Sequence, residues 1–116
     1  MRFKGFTIIL GLLLLSSYSF AERVNKTTTI DRLYTYPVGG EEGDIIVKIP
    51  SPPTGCEAGY WLESADTRGY KNTVSFILSA FHTQKTIILS GSDAPENRWS
   101  GSQGNYCKIL YVTLIK

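Results

Sequence analysis

Histidine occurs once in these 116 residues, at His82, cysteine only at Cys56 and Cys107, and neither sign of charge dominates, with 12 Lys and Arg against 10 Asp and Glu. Each scarcity excludes something. Zinc normally draws several His or Cys ligands, and a histidine acting as general base needs partners that converge on it, so no metal, cofactor or catalytic constellation is expected at His82. The chain has no Gly-x-Ser-x-Gly elbow around a serine nucleophile and no Cys-x-x-Cys redox pair. Glu41, Glu42 and Asp44 stand close together but lack the calcium-loop pattern with its closing Glu, and they read as a solvated turn. Glu57, Glu63, Asp66, Asp93 and Glu96 show no spacing that singles out a pair for glycoside hydrolysis. The chain is therefore read as a non-enzyme.

Long apolar runs are also missing. The one extended run, from Phe6 to Leu15, is shorter than the ~20 residues that cross a bilayer. It follows Arg2 and Lys4 and precedes Ser19-Phe20-Ala21, the charged start, apolar middle and small-residue end of a secretory signal peptide. Residues 1–21 are expected to be removed after Ala21. Residues 22–116 then form a single domain, secreted or periplasmic, with no stable membrane anchor. Loss of Arg2 and Lys4 leaves equal numbers of cations and acids, which disfavours a partner recognised through a strong positive field, nucleic acid above all. In an oxidising compartment Cys56 and Cys107 are expected to pair. A loop of about 50 residues closed in this way stabilises a fold by roughly 4 kcal/mol in the chain-entropy description.

What remains is rich in strand formers. Thr, Tyr and Ile crowd the stretch from Val24 to Val38, and Pro37 and the glycines of residues 39–43 end it in a hairpin loop. Asp44 to Pro50 and Cys56 to Ser64 alternate in the manner of half-buried strands, the latter setting Tyr60 and Trp61 on opposite faces. Val74, Ile77, Leu78 and Phe81 recur at helical spacing, opposite Ser75, Ser79 and His82. This predicts one helix from about Thr73 to Gln84, capped by Asn72, with those four apolar side chains buried. Thr86 to Ser90 and Tyr106 to Lys116 complete the strands.

Three strands, a helix and two strands is the element order of an OB-fold, a five-stranded Greek-key barrel with one helix between strands 3 and 4. Its third and fifth strands run side by side and parallel, which brings Cys56 and Cys107, at the starts of those strands, within bridging distance. A β-sandwich or meander with one helix is the alternative. The segments Gly55-Cys56-Glu57-Ala58-Gly59-Tyr60-Trp61, Trp99-Ser100-Gly101 and Asn105-Tyr106-Cys107-Lys108-Ile109 resemble those of small secreted proteins of Gram-negative bacteria. These are similar in plan to the receptor-binding B subunits of AB-type toxins. The resemblance covers residues from about 55 to 116 and implies an OB-fold, export, a ring-shaped homo-oligomer and glycan binding.

Among candidate binding residues the loop from Gly91 to Asn105 is the richest. Trp99 stands there among Arg98, Gln103 and Asn105, an aromatic face beside polar donors of the kind that stacks on a sugar and bonds its hydroxyls. Trp99 is expected at the rim and partly exposed. A glycan or a protein surface is the expected partner of that loop. Insertion of the loop into a secreted hydrolase as an inhibitor, and single-strand nucleic-acid binding, stay open as alternatives.

Overall fold

The computed structural model describes residues 23–116, so the leader expected at 1–21 lies outside the described residues. The strands are β1 (Arg23–Thr28), β2 (Arg32–Thr35), β3 (Ile45–Lys48), β4 (Gly59–Leu62), β5 (Ile87–Ser92) and β6 (Tyr106–Leu114). Helix α1 (Arg68–Thr83) lies between β4 and β5, and a 3-10 turn covers Pro95–Asn97. All strands join one sheet in the order β1-β5-β6-β4-β3-β2, antiparallel except for the parallel pair β4–β6.

This order corrects the expected architecture. The five-stranded closed barrel is not formed, because there are six strands and no ladder joins β1 to β2, the two edges of the sheet. A sandwich is excluded by the single sheet. The extra strand arises where the stretch from Val24 to Val38 breaks. After Thr28 the chain turns inward to bury Ile30, and the Asp31 N–H donates to the Lys48 carbonyl at 2.8 Å, which carries the chain from the β5 side to the β3 side. In a flat sheet, five ladder spacings of ~4.8 Å would hold the edge strands about 24 Å apart. Thr28 and Arg32, however, are four Cα steps of about 3.8 Å apart along the chain, at most ~15 Å. The sheet must therefore curl, while its hydrogen bonding stays open.

The inside of the curl is the main core. Val47, Tyr60, Leu62, Ile87, Leu89, Cys107 and Ile109 fill it from the strands, and Ile77 and Ala80 close it from α1. Tyr60 is fully buried, and its hydroxyl crosses the interior to donate to the Val24 carbonyl on the far edge strand at 3.2 Å. Burial raises its pKa to about 12, since an apolar surround disfavours the phenolate. The Cys56–Cys107 disulfide is present, with Cα atoms 5.2 Å apart; Cys107 is the second residue of β6, whereas Cys56 lies in the turn three residues before β4, which starts later than the expected strand from Cys56.

Helix α1 starts earlier than its apolar spacing predicts. Thr67, not Asn72, is the N-cap, its side chain accepting from the Tyr70 N–H at 3.1 Å, and Gln84 ends the helix in the left-handed region with φ 54°. The buried stripe is also rotated. Ile77 and Ala80 are buried and Val74 and Phe81 pack against the core, but Leu78 is 44% exposed. Among the described residues no helix is long and apolar enough to cross a membrane.

Candidate functional site

On the outer face of the curl, strand register sorts the side chains into rows. Residues paired across strands point the same way, and alternate residues along a strand share a face. One row runs Arg32, Lys48, Gly59, Tyr106 and the next Tyr34, Ile46, Trp61, Lys108, since Arg32 pairs with Lys48, Ile46 with both Tyr34 and Trp61, Gly59 with Tyr106, and Trp61 with Lys108. An outer face would ordinarily be polar. Here Ile46, Trp61 and Tyr106 are buried, because the loop after β5 folds back over them and inserts Trp99.

Trp99 is only 3% exposed, so the expectation of a partly exposed rim indole does not hold. Its ring meets Tyr106 edge-on at 5.2 Å between centroids and lies tilted against Tyr36 at 5.7 Å. The indole N–H donates to Asp44 Oδ2 at 3.0 Å, and Asp44 Oδ1 accepts the Ser64 N–H at 2.9 Å, so the buried carboxylate is fully engaged. The Trp61 indole N–H donates to the Asn97 carbonyl at 2.9 Å, fixing the 3-10 turn to the sheet. A Cβ on Gly101 would overlap the Trp99 ring, so the chain can cross the indole at that point only with glycine.

Arg98 and Gln103 are exposed, and Asn105 is half-buried with its side-chain amide donating to Glu57 Oε1 at 3.1 Å. Glu57 also accepts the Gly55 N–H at 3.0 Å; this backbone bond first, with the Asn105 amide contributing less, holds its carboxyl pKa below the usual carboxylate value.

The rings that reach solvent come instead from the strand entering the hairpin. Tyr36 is 39% exposed above Trp99, and its ring stands edge-on to Tyr34 at 6.1 Å. The Tyr34 hydroxyl lies 3.4 Å from that of Tyr106, which accepts from Lys48 Nζ at 2.7 Å. Burial first, and the bond to Tyr106 next, raise the Tyr34 pKa. Rings and hydroxyls thus run unbroken from Tyr36 through Tyr34 and Tyr106 to Lys48. The sequence carried a sign of this in the spacing Arg32-x-Tyr34-x-Tyr36, which at a strand's period of two puts all three on one face.

Two other features are poorer in chemistry. An apolar groove of about 180 Å³ lies between β2 and α1, lined by Leu33, Ile45, Val74 and Leu78 among others. Among the described residues no group of three or more His, Cys, Asp or Glu stands together in a way that could hold a metal ion. Comparison with models of known protein families, with curated proteins and with solved structures finds no match to this chain.

Proposed function

We propose that this protein is a secreted or periplasmic, non-enzymatic binding module whose outer sheet face takes a saccharide. The observation that carries the reading is the exposed Tyr36 ring held over the buried Trp99, with the hydroxyls of Tyr34 and Tyr106 beside it. A ring fixed from below offers an apolar face to a sugar without losing side-chain entropy when it binds, and neighbouring hydroxyls can satisfy the sugar's own. The ligand-facing role expected of Trp99 passes to Tyr36, and Trp99 becomes its support. The inhibitor alternative has less in its favour, since the loop that would enter an enzyme's cleft is bound down by its own tryptophan. The single-strand nucleic-acid alternative still lacks the positive field it needs.

A glycan array probed with residues 22–116 tests the reading, with Tyr36→Ala as the paired variant. The expected result is binding to a saccharide that Tyr36→Ala abolishes while its denaturation midpoint stays close to that of the parent. Binding unaffected by Tyr36→Ala, or no saccharide bound at all, would overturn it.

A further inference from the structure

We propose that the saccharide taken by the outer face is acidic, its carboxylate or sulfate group seated at the paired cations Arg32 and Lys48 beside the hydroxyls of Tyr34 and Tyr106. The inference rests on the outer face being the saccharide site and goes further by giving the ligand its charge.

Lys48 is the first ground. Its side chain is half-buried, and its ammonium donates to the Ala58 carbonyl at 2.7 Å and to the Tyr106 hydroxyl at 2.7 Å, with the Tyr106 ring 4.6 Å away. An ammonium has three N–H donors, so one stays uncommitted. All these partners are neutral. Among the described residues the ion pairs are Lys71–Asp66 and Lys108–Glu63, and neither includes Lys48 or Arg32. A partly desolvated cation without a counter-charge is unfavourable unless something supplies one.

The second ground is the position of Arg32. It sits directly opposite Lys48 in the β2–β3 ladder, and like charges facing each other across strands destabilise a sheet. Arg32 and Tyr34 alternate along β2, as Ile46 and Lys48 do along β3, so register puts both cations on the same side of the sheet as the aromatic platform. Two acids of the same side are committed elsewhere, Asp44 to Trp99 and Ser64, and Glu57 to Gly55 and Asn105, and Asp31, the neighbour of Arg32, is exposed and makes no ion pair with either cation. An arrangement that costs the empty protein something becomes favourable when one anion sits between two cations.

Gly59 supplies the third ground. It lies between Lys48 and Tyr106 in the same row with φ +125°, and a Cβ there would meet the Val47 carbonyl oxygen at 2.8 Å and the Lys48 side chain at 3.4 Å. The missing side chain lets Lys48 lie across the strand to the Tyr106 hydroxyl and points its ammonium along the row of rings. A pyranose stacked on Tyr36 would find the hydroxyls of Tyr34 and Tyr106 next, and the cations beyond them.

The test is a titration of residues 22–116 with matched glycan pairs that differ only in charge: a uronic-acid-bearing oligosaccharide against its carboxyl-reduced form, and a sulfated one against its desulfated form. The acidic member of at least one pair is expected to bind roughly ten- to a hundredfold more tightly, the size of a charge-assisted hydrogen bond, and to weaken as salt rises. Arg32→Ala should remove most of that preference while leaving affinity for the neutral member nearly unchanged, and Lys48→Met should remove it too, with some loss of neutral affinity because the Tyr106 hydroxyl loses its donor. Arg32 is exposed, so Arg32→Ala keeps the test valid if Lys48→Met fails to fold. Equal binding of charged and neutral members, lost in Tyr36→Ala, would overturn the acidic ligand while the saccharide reading stood. Binding of an acidic peptide with no binding of any glycan would overturn both.

Discussion

The inner face of the sheet is covered by a helix and filled with aliphatic side chains, whereas the outer face is covered by an irregular loop and filled with rings. Each covering holds on in its own way. A helix brings an apolar side chain every three or four residues, so Val74, Ile77, Ala80 and Phe81 divide the contact among them, with one added bond from the Tyr70 hydroxyl to the Gly43 carbonyl at 2.7 Å. The loop from Gly91 to Asn105 has no period. It is held by one inserted ring, the Trp99 N–H bond to Asp44, and the anchoring of its 3-10 turn to Trp61. Stability is spread out on the inner face and concentrated on the outer one. That suits a binding surface, because Tyr36 can stay exposed if what lies beneath it does not move.

The largest expected effect strikes at this concentration. Trp99→Ala should destabilise the protein by about 3–5 kcal/mol, as removal of a buried aromatic ring does. It should also loosen the whole stretch from Asp93 to Asn105, which amide hydrogen exchange would report as a loss of protection in that loop with β5 and β6 unchanged. A change below about 1 kcal/mol would mean that the outer cluster is not a second core.

Next in size is an effect of pH that belongs to the inner face. Tyr60 has its pKa raised from 10.0 to about 12, so the fold favours its neutral form. The stability it contributes is complete below pH 10 and is lost as the pH climbs through 12, roughly 2–3 kcal/mol in all. Urea midpoints measured from pH 9 to 12 should fall across this window. In Tyr60→Phe the fall should be smaller, at the expense of about 1 kcal/mol at neutral pH for leaving the Val24 carbonyl without its donor. The same slope in both proteins would assign the alkaline loss to other groups.

A smaller effect tests how the two sides of the outer cluster are joined. Asp44→Ala leaves the indole N–H of Trp99 and the backbone N–H of Ser64 without acceptors, and should lower stability by about 1–3 kcal/mol. Combined with Trp99→Ala its effect should shrink, since one of its two bonds is already gone. A fully additive double mutant, read from the same midpoints, would mean that the bond to Trp99 contributes little.

How far the sequence revealed this molecule follows the same division. The inner face was largely legible: alternation located β3 and β4, strand-forming composition located β5 and β6, helical spacing located α1, and the cysteines marked the parallel neighbours β4 and β6. The break at residues 29–31 was not, because Thr28, Thr29 and Ile30 are good strand formers, and only the bond from Asp31 to Lys48 shows where the chain changes sides. The early start of α1 was hidden because Arg68 to Asn72 holds a single apolar residue, Tyr70, and no period can be seen in one residue. The outer site was mostly illegible. An indole among Gly, Ser and Asn looks the same from the sequence whether it faces solvent or a carboxylate 55 residues away. Arg32, Tyr34 and Tyr36 did share a visible face, but what lay under them depended on where the distant loop would fold.

The smallest effect concerns Leu78, where periodicity and burial disagree. Leu78 and Ile77 are neighbours on α1, and helical spacing alone assigns both to the core, yet Ile77 is 1% exposed and Leu78 44%. The difference follows from the turn of about 100° between successive helical residues: with Ile77 and Ala80 pointed into the curl, Leu78 is carried to the shoulder of the helix beside the groove with Leu33 and Ile45. Ile77→Ala should therefore cost about 2–5 kcal/mol, the transfer of a core side chain plus the cavity it leaves. Leu78→Ala opens no enclosed cavity, because its site already faces solvent, and it should cost less than about 1 kcal/mol. Denaturant midpoints of the two variants, measured side by side, decide the matter. If Leu78→Ala destabilised the protein as much as Ile77→Ala, the groove beside β2 would be closed in solution, and the inner face would extend over a shoulder that here lies open.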